Sequence, residues 1–236
     1  MARLGIVSEI PHVAIATPSV GHDDDEDAEV ALLPWWQNPW NVAAVALAGL
    51  ILGFGIGYFV GDRAASTRGN DVDVCFLQDM RYHHDQAVAM AFFYRTEVVE
   101  PHPRLDLLSM EIVMSQQLEA GRMVQLLREM GEIEANDTGT AMAWMGEPTP
   151  IEQMPGIASD DELDELAAAA GRGDSVEAGR IFATLMIAHH EGGLHMAEHA
   201  VEHGSNDEVV AMARGMIVGQ RAEIAEMQAV LDGISG

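Results

Sequence analysis

The hydrophobic pattern separates one long uncharged run from a series of helical stripes. From Val42 to Val60 nineteen residues carry no charge. As a helix that run spans about 28 Å at ~1.5 Å per residue, close to the ~30 Å hydrocarbon thickness of a bilayer. It predicts a single transmembrane helix, occupying residues 39–62 with its flanks. Trp35, Trp36 and Trp40 before it and Tyr58 near its end suit the two interfacial aromatic belts. A cleaved signal peptide fits poorly, because the run starts far from the N-terminus, lacks a basic leader and is too long.

After a short polar linker, residues 63–70, apolar positions recur at helical spacing to the end of the chain. Helix start and stop signals divide this part. Asp71 or Asp73 opens a helix over roughly 73–99, which ends before Pro101 and Pro103. Pro103 begins a second, stopped after Met130 by Gly131. Residues 132–158 form a long connection broken by Gly and Pro. Ser159 with Glu162 is a capping box for a short helix ending at Gly171. Asp174 with Glu177 starts a long helix over 175–203, and Ser205 with Glu208 caps the last, ending near Leu231. No stretch reads as a strand, so residues 71–236 are expected to form an all-α domain.

The stripes contain a repeat. Phe76 to Ala91, FLQDMRYHHDQAVAMA, returns 106 residues later as Phe182 to Ala197, FATLMIAHHEGGLHMA. In the following helices Gln116, Glu119, Met123 and Leu127 match Gln220, Glu223, Met227 and Leu231. A duplicated helical hairpin is most simply packed as a four-helix bundle with its halves related by a pseudo-twofold axis.

Helical geometry turns the repeat into a statement about faces. At about 100° per residue, Phe76, His83, His84, Ala87, Met90 and Ala91 all fall within about 80° of Met80. The same holds for His189, His190 and Met196 around Met186. Gln116 and Glu119, with their counterparts Gln220 and Glu223, share the inner faces of the partner helices. Inward polar groups are costly unless paired, so these residues form either a metal site or a His–Glu network that pins the register of the bundle. Thioether with neutral imidazole favours Cu(I) or Ag(I), whereas carboxylate with imidazole favours Fe, Mn or Zn. Glu119 and Glu223 are then alternative ligands, or acceptors that fix the imidazole tautomers. The Glu-x-x-His pattern of di-iron carboxylate bundles is missing from the long helices, which counts against a di-metal oxidase. Glu191, His195, His199 and His203, four apart, lie on the outer face; they read as a solvated row whose neighbouring histidines suit Zn²⁺ or Cu²⁺.

Composition changes the picture in three ways. Fifteen methionines stand against six Phe, four Trp and three Tyr, which supplies both a pliable core and thioethers. With 38 acidic residues, 12 arginines and no lysine, the formal net charge of −26 argues against nucleic-acid partners. Part of that charge sits in GHDDDEDAE, residues 21–29, so residues 1–38 read as an acidic disordered tail. Cys75 is the one cysteine, which rules out an intrachain disulfide. No phosphate loop, nucleophile elbow or cysteine pair is present, and no motif argues for catalysis.

Within the apolar run, Gly49, Gly53, Gly57 and Gly61 fall four apart, a smooth face suited to homodimerisation in the bilayer. Self-association unchanged by combined Gly53→Ile and Gly57→Ile would remove that idea. Arg63, Arg68 and Arg81 follow the run while its near N-terminal flank has no arginine, which by the positive-inside rule puts the C-terminal domain in the cytoplasm.

The duplicated Phe-x-x-x-Met-x-x-His-His-x-x-x-x-x-Met-Ala, the intervening Met154-Pro155-Gly156 and the Gln-x-x-Glu-x-x-x-Met endings resemble the ferritin-like domain-of-unknown-function family number 305, over about residues 71–233. The resemblance implies a ferritin-like four-helix bundle, usually secreted or membrane-anchored, some members of which bind copper or silver through Met and His. It implies Met80, His83, His84, Met90, Met186, His189, His190 and Met196 as candidate ligands for Cu(I). It also implies an extracytoplasmic domain, against the arginine count. Many relatives carry Met-Pro-Gly-Met where this chain has Ile157, one thioether fewer. The expected function is membrane-anchored binding or buffering of a soft metal rather than catalysis. A structural or oligomerisation module built on a buried His–Glu network is the alternative.

Overall fold

A computed structural model describes residues 34–66 and 69–235 of the chain. The acidic stretch read as a disordered tail lies, for residues 1–33, outside the described residues. The chain divides into two compact units after Leu52.

Helix α1, Pro39–Ser66, contains the span Pro39–Tyr58, which is long and apolar enough to cross a membrane by length and composition. A short turn, Trp35–Gln37, precedes it. Asn38 Oδ1 accepts from the Trp40 amide at 3.0 Å, and Asn41 Nδ2 donates to the Trp35 carbonyl at 3.1 Å, so polar side chains occupy the helix start. The helix continues through Ser66, into the stretch read as linker, since Arg63, Ala64 and Ala65 are good helix formers. A Cβ added at Gly49, Gly53, Gly57 or Gly61 would meet nothing within 4 Å among the described residues.

The second unit is all-α, with four long helices: α2, Asp71–Glu97; α3, Pro103–Met130; α5, Ser175–His203; and α6, Asp207–Ser235. The short α4, Asp160–Gly171, packs on α5. Helix α2 packs on α3 and α5 on α6, the two hairpins of the repeat, and they join through α2 against α5 and α3 against α6. Met90 and Met186 lie in one half of the core with Tyr94 and Phe182, whose rings stack at 4.3 Å. Met80 and Met196 lie in the other half with Phe76. Helices α2 and α5 therefore run in opposite directions past the histidines between them.

Two helix starts differ from expectation. Asn70, read as the end of the linker, is the N-cap of α2 and forms a reciprocal capping box with Asp73. Ser205 does not cap α6; Asn206 Oδ1 accepts from the amides of Glu208 and Val209 instead. The cause is Asp73, which is fully buried. Its Oδ2 accepts from the Asn70, Ser205 and Asn206 amides and from the Ser205 hydroxyl, so Ser205 is already engaged and the next residue takes the cap.

The connection between the halves is ordered. Strands β1, Thr140–Ala141, and β2, Thr149–Pro150, pair antiparallel, an element absent from the sequence-based expectation because two-residue strands leave no periodic signal. One face of α2 holds this strap through residues spaced as i, i+4 and i+7. Asp79 accepts from Asn136 Nδ2, the Met142 amide and Trp144 Nε1 at 2.7–2.9 Å. His83 Nε2 meets the Pro155 carbonyl at 3.2 Å, and Gln86 makes a 2.8 Å pair with both the amide and the carbonyl of Ala158.

Candidate metal centre

His83, His84, His189 and His190 sit between the two halves of the core and are all at most 1% exposed. Their surroundings divide them by position in the repeat rather than by repeat. His83 and His189 meet each other, with ring centroids 3.7 Å apart and planes tilted by 37°. His189 Nε2 donates to the main-chain carbonyl of His83 at 2.9 Å, as His83 Nε2 does to Pro155. His84 and His190 instead face the α3 and α6 side, where their Nε2 atoms pair with Glu119 Oε2 at 2.8 Å and Glu223 Oε2 at 2.6 Å. The imidazoles are wholly buried, while the Glu119 and Glu223 side chains keep 29% and 19% exposure.

These contacts settle the tautomers of the first pair. A carbonyl only accepts, so His83 and His189 carry hydrogen on Nε2 and, when neutral, a lone pair on Nδ1. Burial, reinforced by the nearby His84, lowers the His83 pKa to about 3. Burial, then proximity to His83, lowers His189 well below the ordinary histidine value. Both are therefore neutral near pH 7. The Nδ1 atoms of His83, His84 and His190 are buried and have no hydrogen-bond partner. Met80 precedes His84 by four residues and Met186 precedes His190 by four, the spacing that makes side chains neighbours on a helix. Met90 and Met196 lie on the far side of the histidines along α2 and α5.

On the α3 and α6 side, Gln116 and Gln220 are 2% and 5% exposed. Neither polar atom of the Gln116 amide has a partner, and Gln220 Oε1 also lacks one. Among the described residues no three of His, Cys, Asp and Glu stand together as a ready metal-holding group. Burial, followed by repulsion from Asp79 and Asp71, raises the Cys75 pKa and keeps it a thiol.

Several residues build this centre through contacts that the sequence does not announce. The Met154-Pro155-Gly156 segment crosses the face of α5 at contact distance. Gly156 has φ +84°, and a Cβ there would lie 2.6 Å from His189 Cα. A Cβ on Gly192 would lie 1.9 Å from the Pro155 carbonyl oxygen. Two glycines thus let the strap press on the layer of His83 and His189. The spacing of Asp79 and Gln86 around His83 was the available clue, since all three share a helix face.

The outer row is partly covered. His195 Nε2 lies 3.2 Å from Glu147 Oε2, both exposed. His199 is half-buried, edge-on to Trp144 at 5.2 Å and 4.3 Å from the His203 ring. Burial, then His203, lowers its pKa.

Duplication, buried histidine pairs and the all-α unit define the class. The chain belongs to the family Domain of unknown function (DUF305), whose model matches residues 73–231. Among solved structures it resembles a DUF305 protein of Streptomyces coelicolor, provisionally described as secreted, at 30% identity and TM-score 0.62, covering 70% of this chain and 94% of that one. A DUF305 fragment from Deinococcus radiodurans matches at 28% identity and TM-score 0.55, covering 70% and 97%. CopM in its Cu(I)-bound form matches at 26% identity and TM-score 0.51, covering 70% and 98%. CopM has also been solved with Cu(II) and with Ag bound. No curated protein matches the chain.

Proposed function

We propose that this protein is anchored in a membrane by α1 and that its helical domain binds or buffers a soft metal ion, Cu(I) or Ag(I), through the buried histidines and neighbouring methionines. The observation that carries the reading is the set of unpartnered Nδ1 atoms on His83, His84 and His190. Buried polar atoms are nearly always satisfied. A neutral imidazole nitrogen in an apolar, thioether-rich layer is a donor that soft cations prefer. Bound there, such an ion would be held in its reduced, water-excluded state. His84 with Met80 and His190 with Met186 form two equivalent donor pairs. Their Nε2 hydrogens on Glu119 and Glu223 would fix the orientation and tautomer of the imidazoles. The likeness to CopM supports the choice of metal. The apolar span of α1 and the Streptomyces coelicolor relative support a domain on the outer side of the membrane, which protease accessibility on intact cells tests.

The test is a titration of the full-length chain in detergent with Ag(I), or with Cu(I) under a competing chelator. Binding should fall at least tenfold in a variant combining His84→Ala with His190→Ala, and unchanged binding would overturn the reading. The backbone hydrogen bonds of His83 and His189 favour a second reading, a purely structural histidine layer. In that case Tm would not move with Ag(I), whereas an ion that binds the folded state raises Tm with concentration.

A further inference from the structure

The seam where α3 meets α6 holds a separate cavity of about 60 Å³, lined by the polar Gln116, Glu119, Gln220 and Glu223 together with Ser115, Met216 and Gly219. Its polar lining comes from both repeats, and its acceptors outnumber its donors. Glu119 and Glu223 each give one oxygen to a histidine and retain a second. Among the described ion pairs no arginine reaches either carboxylate; the nearby Arg122 and Arg221 pair with Glu208 and Glu198 instead. Gln116, almost fully buried, presents an amide with both ends unpartnered, and the Gln220 side-chain oxygen is unpartnered too. Each such atom has given up its water and gained no partner, a cost that something polar in the seam would remove.

We propose that this seam is a binding site for a hydrated divalent cation of the hard, oxygen-preferring class, held by Glu119 and Glu223 and by the side-chain oxygens of Gln116 and Gln220. Cations of this class keep several waters and take one or two carboxylates from a protein. The cavity has room for an ion with a partial water shell, because a single water requires only about 10–15 Å³ of such space. The Gln116 Nε2 hydrogens turn to a carboxylate oxygen once the ion draws the glutamates together. The site shares no donor atom with the imidazole Nδ1 and thioether set. It is therefore selected by different chemistry and does not depend on the soft-metal reading.

Mn²⁺ is the probe, followed by electron paramagnetic resonance on the full-length chain in detergent. The wild type should bind one Mn²⁺ more tightly than the weak background of its acidic surface, and Ag(I) should not displace it. Combined Glu119→Gln and Glu223→Gln should weaken that ion at least tenfold, as should Gln220→Met alone. Weak background binding only in the wild type, meaning that water alone fills the seam, overturns the proposal. So does tight binding that survives the substitutions. If the double variant fails to fold by circular dichroism, the single Gln220→Met variant decides by the same criterion.

Discussion

His83 and His189, the same residue of the two repeats, meet ring against ring at a tilt of 37°, and the ring of His189 hydrogen-bonds the backbone of His83. The contact joins the two repeats at their equivalent histidines. It also makes the layer sensitive to proton uptake.

Acid should unfold the metal-free domain through these two residues. Their folded pKa values lie below the unfolded value of 6.5, His83 at about 3 and His189 well below the ordinary value, so the unfolded chain binds more protons between these limits. Their contribution to stability is complete above about pH 6.5 and is lost as pH falls towards 3. The slope should approach about 1.4 kcal/mol per pH unit for each histidine. Urea melts between pH 7 and pH 4 check this. A His83→Leu variant should show a shallower slope.

Removal of Asp73 should be among the most damaging polar changes in the domain. Asp73→Ala leaves three buried or partly buried amides, those of Asn70, Ser205 and Asn206, without their acceptor. A loss of about 3 kcal/mol or more is expected from denaturant melts. Amide exchange should speed up first at Ser205 and Asn206.

Gly192→Ala should push the strap off the histidine layer. The added methyl meets the Pro155 oxygen, which also accepts from His83. Overpacking of this kind costs about 1–3 kcal/mol. Limited proteolysis should cut within residues 132–158 faster than in wild type. The imidazole Nε2–H resonance of His83 should also shift. An unchanged resonance would show that the strap does not depend on this close approach.

Phe182→Ala should cost about 3–5 kcal/mol, because it empties a fully buried ring site stacked on Tyr94. Tyr94→Phe keeps the stack and loses only the hydroxyl that accepts from the His102 amide, so about 1 kcal/mol is expected. The ratio of the two, read from thermal melts, tests whether packing or the hydrogen bond holds this end of the domain.

Much of the fold was legible because long helices leave a periodic signal. Phe76, Met80, His83 and His84 share one stripe, and their burial follows from about 100° per residue. That inward glutamates and inward histidines share the interior followed from the inner faces of the repeat; that His84 takes Glu119 and His190 takes Glu223 did not. What else stayed hidden was carried by the backbone. The partner of His83 is a carbonyl 72 residues away, and that of His189 is a carbonyl on the neighbouring helix. Every residue has a carbonyl, so residue types could not separate the roles of adjacent histidines. The choice of Asn206 over Ser205 as a cap likewise depended on Asp73, 133 residues earlier in the chain.

The strap has a consequence for the symmetry of the molecule. Duplication supplies two matching helices, yet a single connection can be held by only one of them, and α2 has Asp79 and Gln86 where α5 has Leu185 and Gly192. One side of the histidine layer is thus committed to a single orientation, while the side facing α3 and α6 remains a matched pair. If the domain holds soft ions as proposed, those entering from the matched side would meet two equal stations, whereas the strapped side would offer a ranked order, with His83 tethered and His189 leaning on it.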